Sequence, residues 1–139
     1  MKTKSFLTII TISLIFLFTH CNKVDKPEIT LTELGYENSK TANVGSDLHV
    51  EADVVAEGKI KTIEIILHQE VGSTWEYDST YTEFSGLKNT TFHKHVPIPS
   101  DTKLGTYCFH FIVTDLEGNE SEIEDDVVFK QADSTVVSE

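Results

Sequence analysis

Residues 105–119 read Gly-Thr-Tyr-Cys-Phe-His-Phe-Ile-Val-Thr-Asp-Leu-Glu-Gly-Asn, and they carry the clearest signal of the fold class. Its bulky apolar side chains recur at every second position. Successive side chains of a β-strand point to opposite faces, so the alternation predicts a strand with one buried face. That face carries Tyr107, Phe109, Phe111 and Val113, and the other carries Cys108, His110, Ile112 and Thr114. Glu-Gly-Asn then predicts a turn.

Similar short apolar segments, separated by turn signals, extend in both directions from this stretch. The predicted strands span residues 29–34, 47–55, 59–68, 75–84, 90–98, 106–114 and 121–129. No window has helical periodicity over two turns. Seven short strands between residues 27 and 130 favour one antiparallel β-sandwich over a barrel or an α/β domain.

The motif around Tyr107 narrows this fold class. Ile98-Pro99, Gly105-x-Tyr107 and Thr114-Asp115-x-x-Gly118-Asn119 together resemble strand F of bacterial immunoglobulin-like and fibronectin-III-like modules. The resemblance implies that Tyr107 is the corner tyrosine, whose hydroxyl bonds back to the preceding loop. With the seven strands labelled A to G, it also implies that a sheet of A, B and E faces a sheet of C, F and G.

Residues 1–20 are predicted to be a secretion signal. Lys2 and Lys4 precede an apolar run, residues 6–18, that is too short to span a bilayer comfortably. The run leads to Thr19-His20-Cys21, which resembles the lipobox of bacterial lipoproteins and implies that Cys21 is lipidated. The alternatives are an ordinary secretory signal and a membrane anchor. Residues 21–26 are then a lipidated tether, and residues 131–139, without apolar periodicity, are predicted to be a flexible tail.

Two further segments narrow the resemblance. Together with the lipobox, residues 47–52 (Asp-Leu-His-Val-Glu-Ala) and 92–96 (Phe-His-Lys-His-Val) look like an uncharacterised family of single-domain Bacteroidota lipoproteins. The resemblance implies a lipid anchor in the outer membrane and leaves open whether the domain faces the periplasm or the cell exterior. No established activity comes with it.

The charge of the chain restricts its partners. It contains 11 lysines, no arginine and 23 acidic residues. Without the two lysines of the signal, nine lysines oppose 23 acids, which gives a net charge of −14. Such a field repels phosphate backbones and anionic lipid surfaces, so nucleic acid is not an expected partner and the membrane is reached only through the lipid. A solvated acidic surface also explains the composition.

The spacing of the histidines predicts a metal site. His93 and His95 share one face of a predicted strand, about 6.7 Å apart, and both imidazoles can reach one ion there. The immunoglobulin-like arrangement places the strand of His49 and Glu51 beside them, so the four side chains are candidate ligands for zinc or copper. This phase turns Lys94 inward, which requires a bulge or a snorkelling side chain. An ordinary solvated sheet face is the alternative.

A second candidate ligand set lies on the other predicted sheet. His68, Cys108 and His110 lie on neighbouring strands and could bind copper or zinc. With Cys21 lipidated, Cys108 has no intrachain disulfide partner. It is then a small buried hydrophobe, a metal ligand or a reactive thiol.

Aromatic and acidic segments give weaker signals. Trp75, Tyr77 and Tyr81 share one face of their predicted strand and could stack on sugar rings, or could pack in the core. The acids of residues 115–126 could bind calcium, although acids on a terminal strand also prevent edge-to-edge pairing.

These residues predict a binding module and not an enzyme, because no serine or cysteine comes with a base and an orienting acid in readable order. The first hypothesis is a lipoprotein that binds a transition metal through its strand-borne histidines. The alternative is a glycan- or protein-binding accessory lipoprotein of an envelope complex with no metal.

Overall fold

A computed structural model describes residues 23–70, 72 and 75–132 of the chain. The predicted signal, Cys21 and tail residues 133–139 lie outside the described residues. The described part is all-β and contains no α-helix, only a short 3-10 turn at Tyr36–Asn38. Its strands are β1 Glu28–Leu34, β2 Thr41–Asn43, β3 Asp47–Val55, β4 Ile60–His68, β5 Tyr77–Tyr81, β6 Asn89–Pro97, β7 Gly105–Asp115 and β8 Glu120–Lys130.

The strands form two sheets. One has the order β1-β3-β6, and the other has the order β2-β8-β7-β4-β5. The first sheet consists of the predicted strands A, B and E. In the second sheet the predicted strands C, F and G are neighbours, as the immunoglobulin-like resemblance implies. A search of the described residues finds no helix that could span a bilayer.

One hydrophobic core lies between the two sheets. In β3 the alternate residues Leu48, Val50, Ala52 and Val54 are buried, and in β7 the apolar face is buried in full. The rings of Phe92 in β6 and Phe111 in β7 meet edge to face at 5.1 Å, which joins the two sheets directly. Aromatic pairs of this geometry add to the stabilisation from burial.

The predicted strand count and the all-antiparallel pairing are wrong in one place. An eighth strand, β2, pairs in parallel with residues 128–130 of β8. Between β1 and β2 the chain leaves the first sheet and joins the second through left-handed residues, Glu37, Asn38 and Lys40. Three residues are too few to show an apolar alternation, so the local sequence gives β2 no signal.

Strand β6 adopts the phase that the histidine hypothesis requires. Phe92 and Val96 are buried, while His93 and His95 point to solvent. Lys94 turns to the inner side and snorkels out at the sheet edge, where its Nζ lies 2.8 Å from a Glu83 carboxylate oxygen and 5.6 Å from the centre of the Tyr81 ring. The aliphatic stem covers apolar surface and the charge stays at the edge, so the strand needs no bulge.

Candidate metal centre

Strands β3 and β6 bring the candidate ligands together through their register. His49 lies directly opposite His95, and Glu51 lies directly opposite His93. All four side chains are on the outer face of the first sheet, because their neighbours in each strand fill the core. Residues opposite each other in an antiparallel pair have Cβ atoms about 4.5–5.5 Å apart. The register therefore concentrates three imidazoles and one carboxylate in a small area.

The three imidazoles converge. The His49 ring centre lies 4.7 Å from that of His93 and 5.0 Å from that of His95. Each ring offers a nitrogen, and the three ligand atoms lie within 4.8 Å of one another. Nitrogens bound to one zinc ion lie about 2.0–2.1 Å from it, so only small side-chain adjustments separate this arrangement from coordination.

His49 Nε2 is the unusual atom of the cluster. It is buried and has no hydrogen-bond partner among the residues that the structure describes. Carboxylate oxygens of Glu33 and Glu51 lie 3.5 and 3.8 Å from it, close enough to attract a positive charge. A buried polar atom without a partner is costly, which indicates that an ion or a solvent molecule belongs here.

Glu33 is a site residue that the sequence analysis missed. It belongs to β1, and a register shift between Leu31 and Glu33 places it opposite Glu51. A strict alternation along β1 does not reveal this shift, since a bulge changes which side chains share a face. Glu33 and Glu51 then flank His49 as a second group of possible ligands.

The cluster opens to solvent on one side. His93 and His95 are exposed, whereas the His49 side chain is 18% exposed. Nδ1 of His95 lies 3.3 Å from a carboxylate oxygen of Asp47. A cleft of about 560 Å³ adjoins His49 and His95, and its lining combines hydroxyl and amide side chains, such as Tyr36 and Asn43, with the charged side chains of Glu37, Asp47 and Lys130. An ion here would be accessible to exchange and to a further ligand.

The second predicted ligand set has a different arrangement. His68 and His110 lie close together, with 3.0 Å between their Nε2 atoms, and Cys108 is the direct strand partner of His68. Among the described residues, the acids that group with His110 are Glu122 and Glu124, and Cys108 is not in that group. Burial and the nearby acids Glu70, Asp126 and Glu124 raise the pKa of Cys108, which disfavours the thiolate that a metal needs.

Trp75, which precedes β5, and the tyrosines of β5 pack against the core. Trp75 contacts the rings of Tyr107 and Phe129 at 5.7 and 5.8 Å, and Tyr81 meets Phe92 edge to face at 5.0 Å. The hydroxyls of Tyr77 and Tyr81 lie 3.0 Å apart. These partly buried rings pack against the edge of the core, so this segment does not present three exposed ring faces to a ligand.

Tyr107 makes the contact that the immunoglobulin-like resemblance implies. It is fully buried, and its hydroxyl donates a hydrogen bond to the carbonyl of Lys103 at 2.9 Å. The bond connects the loop before β7 to the strand itself. Buried tyrosines usually place the hydroxyl in such a contact.

Comparisons with known proteins place this geometry in context. Curated proteins gave no match to the sequence. Among solved structures, the fold is similar to the GspB Siglec domain, with a TM-score of 0.52, 14% identity and coverage of 79% of this chain. The match spans 60% of the length of that chain. A Niemann-Pick type C2 protein from Japanese carpenter ant has a TM-score of 0.50 and 10% identity, covering 78% of this chain and 94% of its own.

At these identities the likeness concerns the fold alone. A protein-family model gives a closer assignment, because it matches residues 19–130, which include every described strand. The chain belongs to the DUF4625 family, a domain of unknown function.

Proposed function

We propose that the protein is a metal-binding module in which His49, His93 and His95 hold one transition metal ion. The observation that carries the proposal is the buried His49 Nε2, which has no hydrogen-bond partner in the described part of the chain and lies 3.5 and 3.8 Å from the carboxylates of Glu33 and Glu51. The His49 ring also lies 4.7 and 5.0 Å, centre to centre, from the rings of His93 and His95. A metal ion would use the lone pair of this nitrogen. It would also offset the repulsion between Glu33 and Glu51.

The ligand chemistry favours zinc or copper. Imidazole nitrogens suit Zn²⁺ and Cu²⁺, whereas Ca²⁺ and Mg²⁺ take oxygen ligands. His49, His93 and His95 would supply three nitrogens, and a carboxylate, a water or a ligand in the adjacent cleft would complete the shell. Asp47 near His95 Nδ1 is in a position to orient that ring.

Binding is a better description than catalysis. The thiol of Cys108 has a raised pKa and is therefore a weak nucleophile. The open side of the cluster suits uptake, storage or delivery of an ion. Binding should weaken in acid, because a ligating imidazole must give up its proton.

Titration of the full chain, free of tags and treated with a chelator, tests the proposal. We expect Zn²⁺ and Cu²⁺ to bind more tightly than 1 mM, and His49→Ala and His95→Ala to lower the affinity at this site at least tenfold. Asp53→Asn is the matched control, because Asp53 is on the outer face of β3 and bonds only Thr91 through its side chain among the described residues. A dissociation constant weaker than about 1 mM, roughly −4 kcal/mol, would refute the proposal.

We further infer that the two sheets form an immunoglobulin-like sandwich that is lipid-anchored in the outer membrane. The sheet orders β1-β3-β6 and β8-β7-β4-β5, with the Tyr107 contact, support the sandwich. The lipobox-like sequence at Cys21 supports the anchor. Mass spectrometry of the N-terminal peptide tests it, and a mature protein with an unmodified Cys21 would contradict it.

The alternative function, a glycan- or protein-binding accessory lipoprotein, is supported by the polar cleft beside His49 rather than by the aromatic strand. A glycan array and a pull-down with Tyr36→Ala and Trp75→Ala proteins separate the two surfaces. Binding that is lost only with Tyr36→Ala would favour the cleft. Equal absence of signal for wild type and variants would remove this alternative.

A further inference from the structure

The outer face of β8 carries a row of carboxylates. Glu120, Glu122, Glu124 and Asp126 occupy alternate exposed positions, about 6.7 Å from one to the next. Their direct partners in β7 are Thr114, Ile112, His110 and Cys108. His110 is the one member of this partner set that can carry a positive charge. Like charges in a row repel each other, so a bound cation would stabilise this face by reducing the repulsion.

His110 is fixed at the centre of this row by hydrogen bonds on both of its ring nitrogens. Nδ1 lies 2.7 Å from Glu122 Oε1 and 3.6 Å from Glu124 Oε1. Nε2 lies 3.0 Å from Nε2 of His68 in the neighbouring strand. The His110 side chain is 18% exposed, so the ring is held by contacts on both sides while Glu122 and Glu124 remain open to solvent.

The directions of these hydrogen bonds follow from the chemistry of the groups. An ionised Glu122 can only accept, so a neutral His110 carries its proton on Nδ1. Its Nε2 then accepts a proton donated by His68 Nε2. If an ion takes the place of the Nδ1 proton, coordination replaces the hydrogen bond to Glu122 and the bond to His68 reverses: His110 carries its proton on Nε2 and donates it to His68. His68 is thus an acceptor for the ring N–H of a metal-bound His110, the role that outer partners have in histidine metal sites.

The surroundings of His110 favour a cation. A cleft of about 440 Å³ beside the ring is lined by His68, Glu70, Cys108, His110, Glu124, Asp125 and Asp126. No lysine lines it. Asp125 is neutralised by Lys40 at 2.8 Å, which leaves Glu70, Glu124 and Asp126 as uncompensated acids among the lining residues.

We propose that His110 Nδ1, Glu122 and Glu124 form a second metal site, for a divalent transition metal of the Zn²⁺ type, with His68 as a positioning residue. The ligand atoms of the three residues already lie within 4.8 Å of one another. One imidazole nitrogen with two carboxylates is a ligand set that Zn²⁺ accepts, and the nitrogen disfavours Ca²⁺. This site is on the opposite sheet from His49 and is independent of the function proposed above.

The test is a Zn²⁺ titration of the full chain carrying His49→Ala and His95→Ala, because His49 belongs both to the histidine cluster and to the group with Glu33 and Glu51. We expect one remaining site, with its affinity lowered at least tenfold by Glu122→Gln or Glu124→Gln. Glu120→Gln is the matched control, because it makes the same charge change on the same face of β8. Equal losses in Glu120→Gln and Glu122→Gln, or no Zn²⁺ binding at all, would overturn the proposal.

A second measurement follows the ring protons. Long-range proton–nitrogen NMR spectra should show the His110 proton on Nδ1 before Zn²⁺ addition and on Nε2 afterwards, with His68 changing tautomer in the same titration. His68→Leu should weaken binding more than His68→Gln, because glutamine keeps an acceptor. A His110 proton that stays on Nδ1 in the Zn²⁺-saturated protein would overturn the assignment even if Zn²⁺ binds elsewhere. Thermal unfolding of each variant shows that it is folded.

Discussion

Asp115 is a buried carboxylate that holds the turn between β7 and β8. Its Oδ1 accepts hydrogen bonds from the backbone N–H groups of Glu117 and Asn119, and its Oδ2 accepts one from the Asn119 side chain. Burial alone would raise the pKa of Asp115, but these hydrogen bonds outweigh it and lower the pKa below the usual range. The calcium hypothesis for this residue loses support, since its oxygens already serve the turn.

Replacing Asp115 by Asn should destabilise the protein by about 1–3 kcal/mol at pH 7, because the amide accepts these N–H groups less well than the carboxylate. A carboxyl with a lowered folded-state pKa contributes stability above its unfolded value, near 3.9, and loses it as pH falls through the folded value. The difference between wild type and variant should therefore shrink below pH 4. Urea unfolding at pH 7 and pH 3 measures it.

Asp101→Asn is the control for this prediction, since Asp101 is exposed in a loop. We expect Asp101→Asn to change the free energy of unfolding by no more than about 0.5 kcal/mol at both pH values. If the free energies of unfolding of wild type and Asp115→Asn differ by the same amount at pH 7 and pH 3, the assigned role of the carboxylate is contradicted.

At the scale of elements, the segment between β1 and β2 decides how the two sheets are connected. Gly35 has φ 75° and ψ 162°, a conformation that is essentially restricted to glycine. A Cβ at this position would lie 2.7 Å from the Thr41 carbonyl oxygen and 2.9 Å from the Thr41 nitrogen. The Gly35 N–H also bonds the carbonyl of His49 at 2.8 Å, so this segment supports the first metal site.

Gly35→Ala should therefore cost more stability than Gly86→Ala. Gly86 also has a positive φ, 86°, but a Cβ there meets nothing within 4 Å. We expect Gly86→Ala to cost about 1–2 kcal/mol from backbone strain alone. The clash with the backbone of β2 adds to that strain in Gly35→Ala. Chemical denaturation of both variants compares them, and equal costs would show that the approach of β2 to Gly35 is not restrictive.

At the scale of the whole molecule, the two ends of the domain differ. At one end, backbone hydrogen bonds connect the turns after β3, before β6 and after β7. The N–H groups of Ala56, Ile60 and Leu116 donate to the carbonyls of Lys88, Leu87 and Lys59, respectively. The carbonyl of Val24 lies 3.5 Å from the Asn119 side-chain nitrogen at this same end. The chain thus reaches the domain here, three residues after Cys21. His49 and His95 lie toward the other end of β3 and β6.

With Cys21 lipidated, as proposed, these turns should face the bilayer and the His49 cluster should point away from it. Leu87 and Leu116 are about half exposed at the turns and would meet the lipid surface. In vesicles that contain brominated lipid, we expect quenching of tryptophan fluorescence in Leu116→Trp. Leu104→Trp is the matched control at the opposite end, and native Trp75, which contacts Tyr107, is the internal reference.

Flotation with the vesicles separates two outcomes of this experiment. Protein that does not float with the vesicles would refute the lipid anchor itself. Protein that floats, yet shows equal quenching in Leu104→Trp and Leu116→Trp, would refute only the orientation.

Local alternation accounts for what could be predicted from the sequence. Period-two patterns depend only on strand geometry, so β3, β4, β6, β7 and β8 begin and end within one residue of their predicted bounds. The outward phase of His93 and His95 was predictable for the same reason, because Phe92 and Val96 fix the inner face. The predicted strand at residues 75–84 is shorter in the structure, since only Tyr77–Tyr81 pairs with β4.

Local sequence is thus sufficient for the strand pattern, the buried face of β7 and the spacing of the histidines, because each depends on neighbours two residues away. The partners across strands depend instead on how the whole chain packs. The parallel β2–β8 pair, Glu33 beside His49, and Glu122 and Glu124 beside His110 arise from register and one bulge between segments distant in sequence. A shift of one residue turns a side chain to the opposite face, so such partners follow from the packed sheets and not from local pattern.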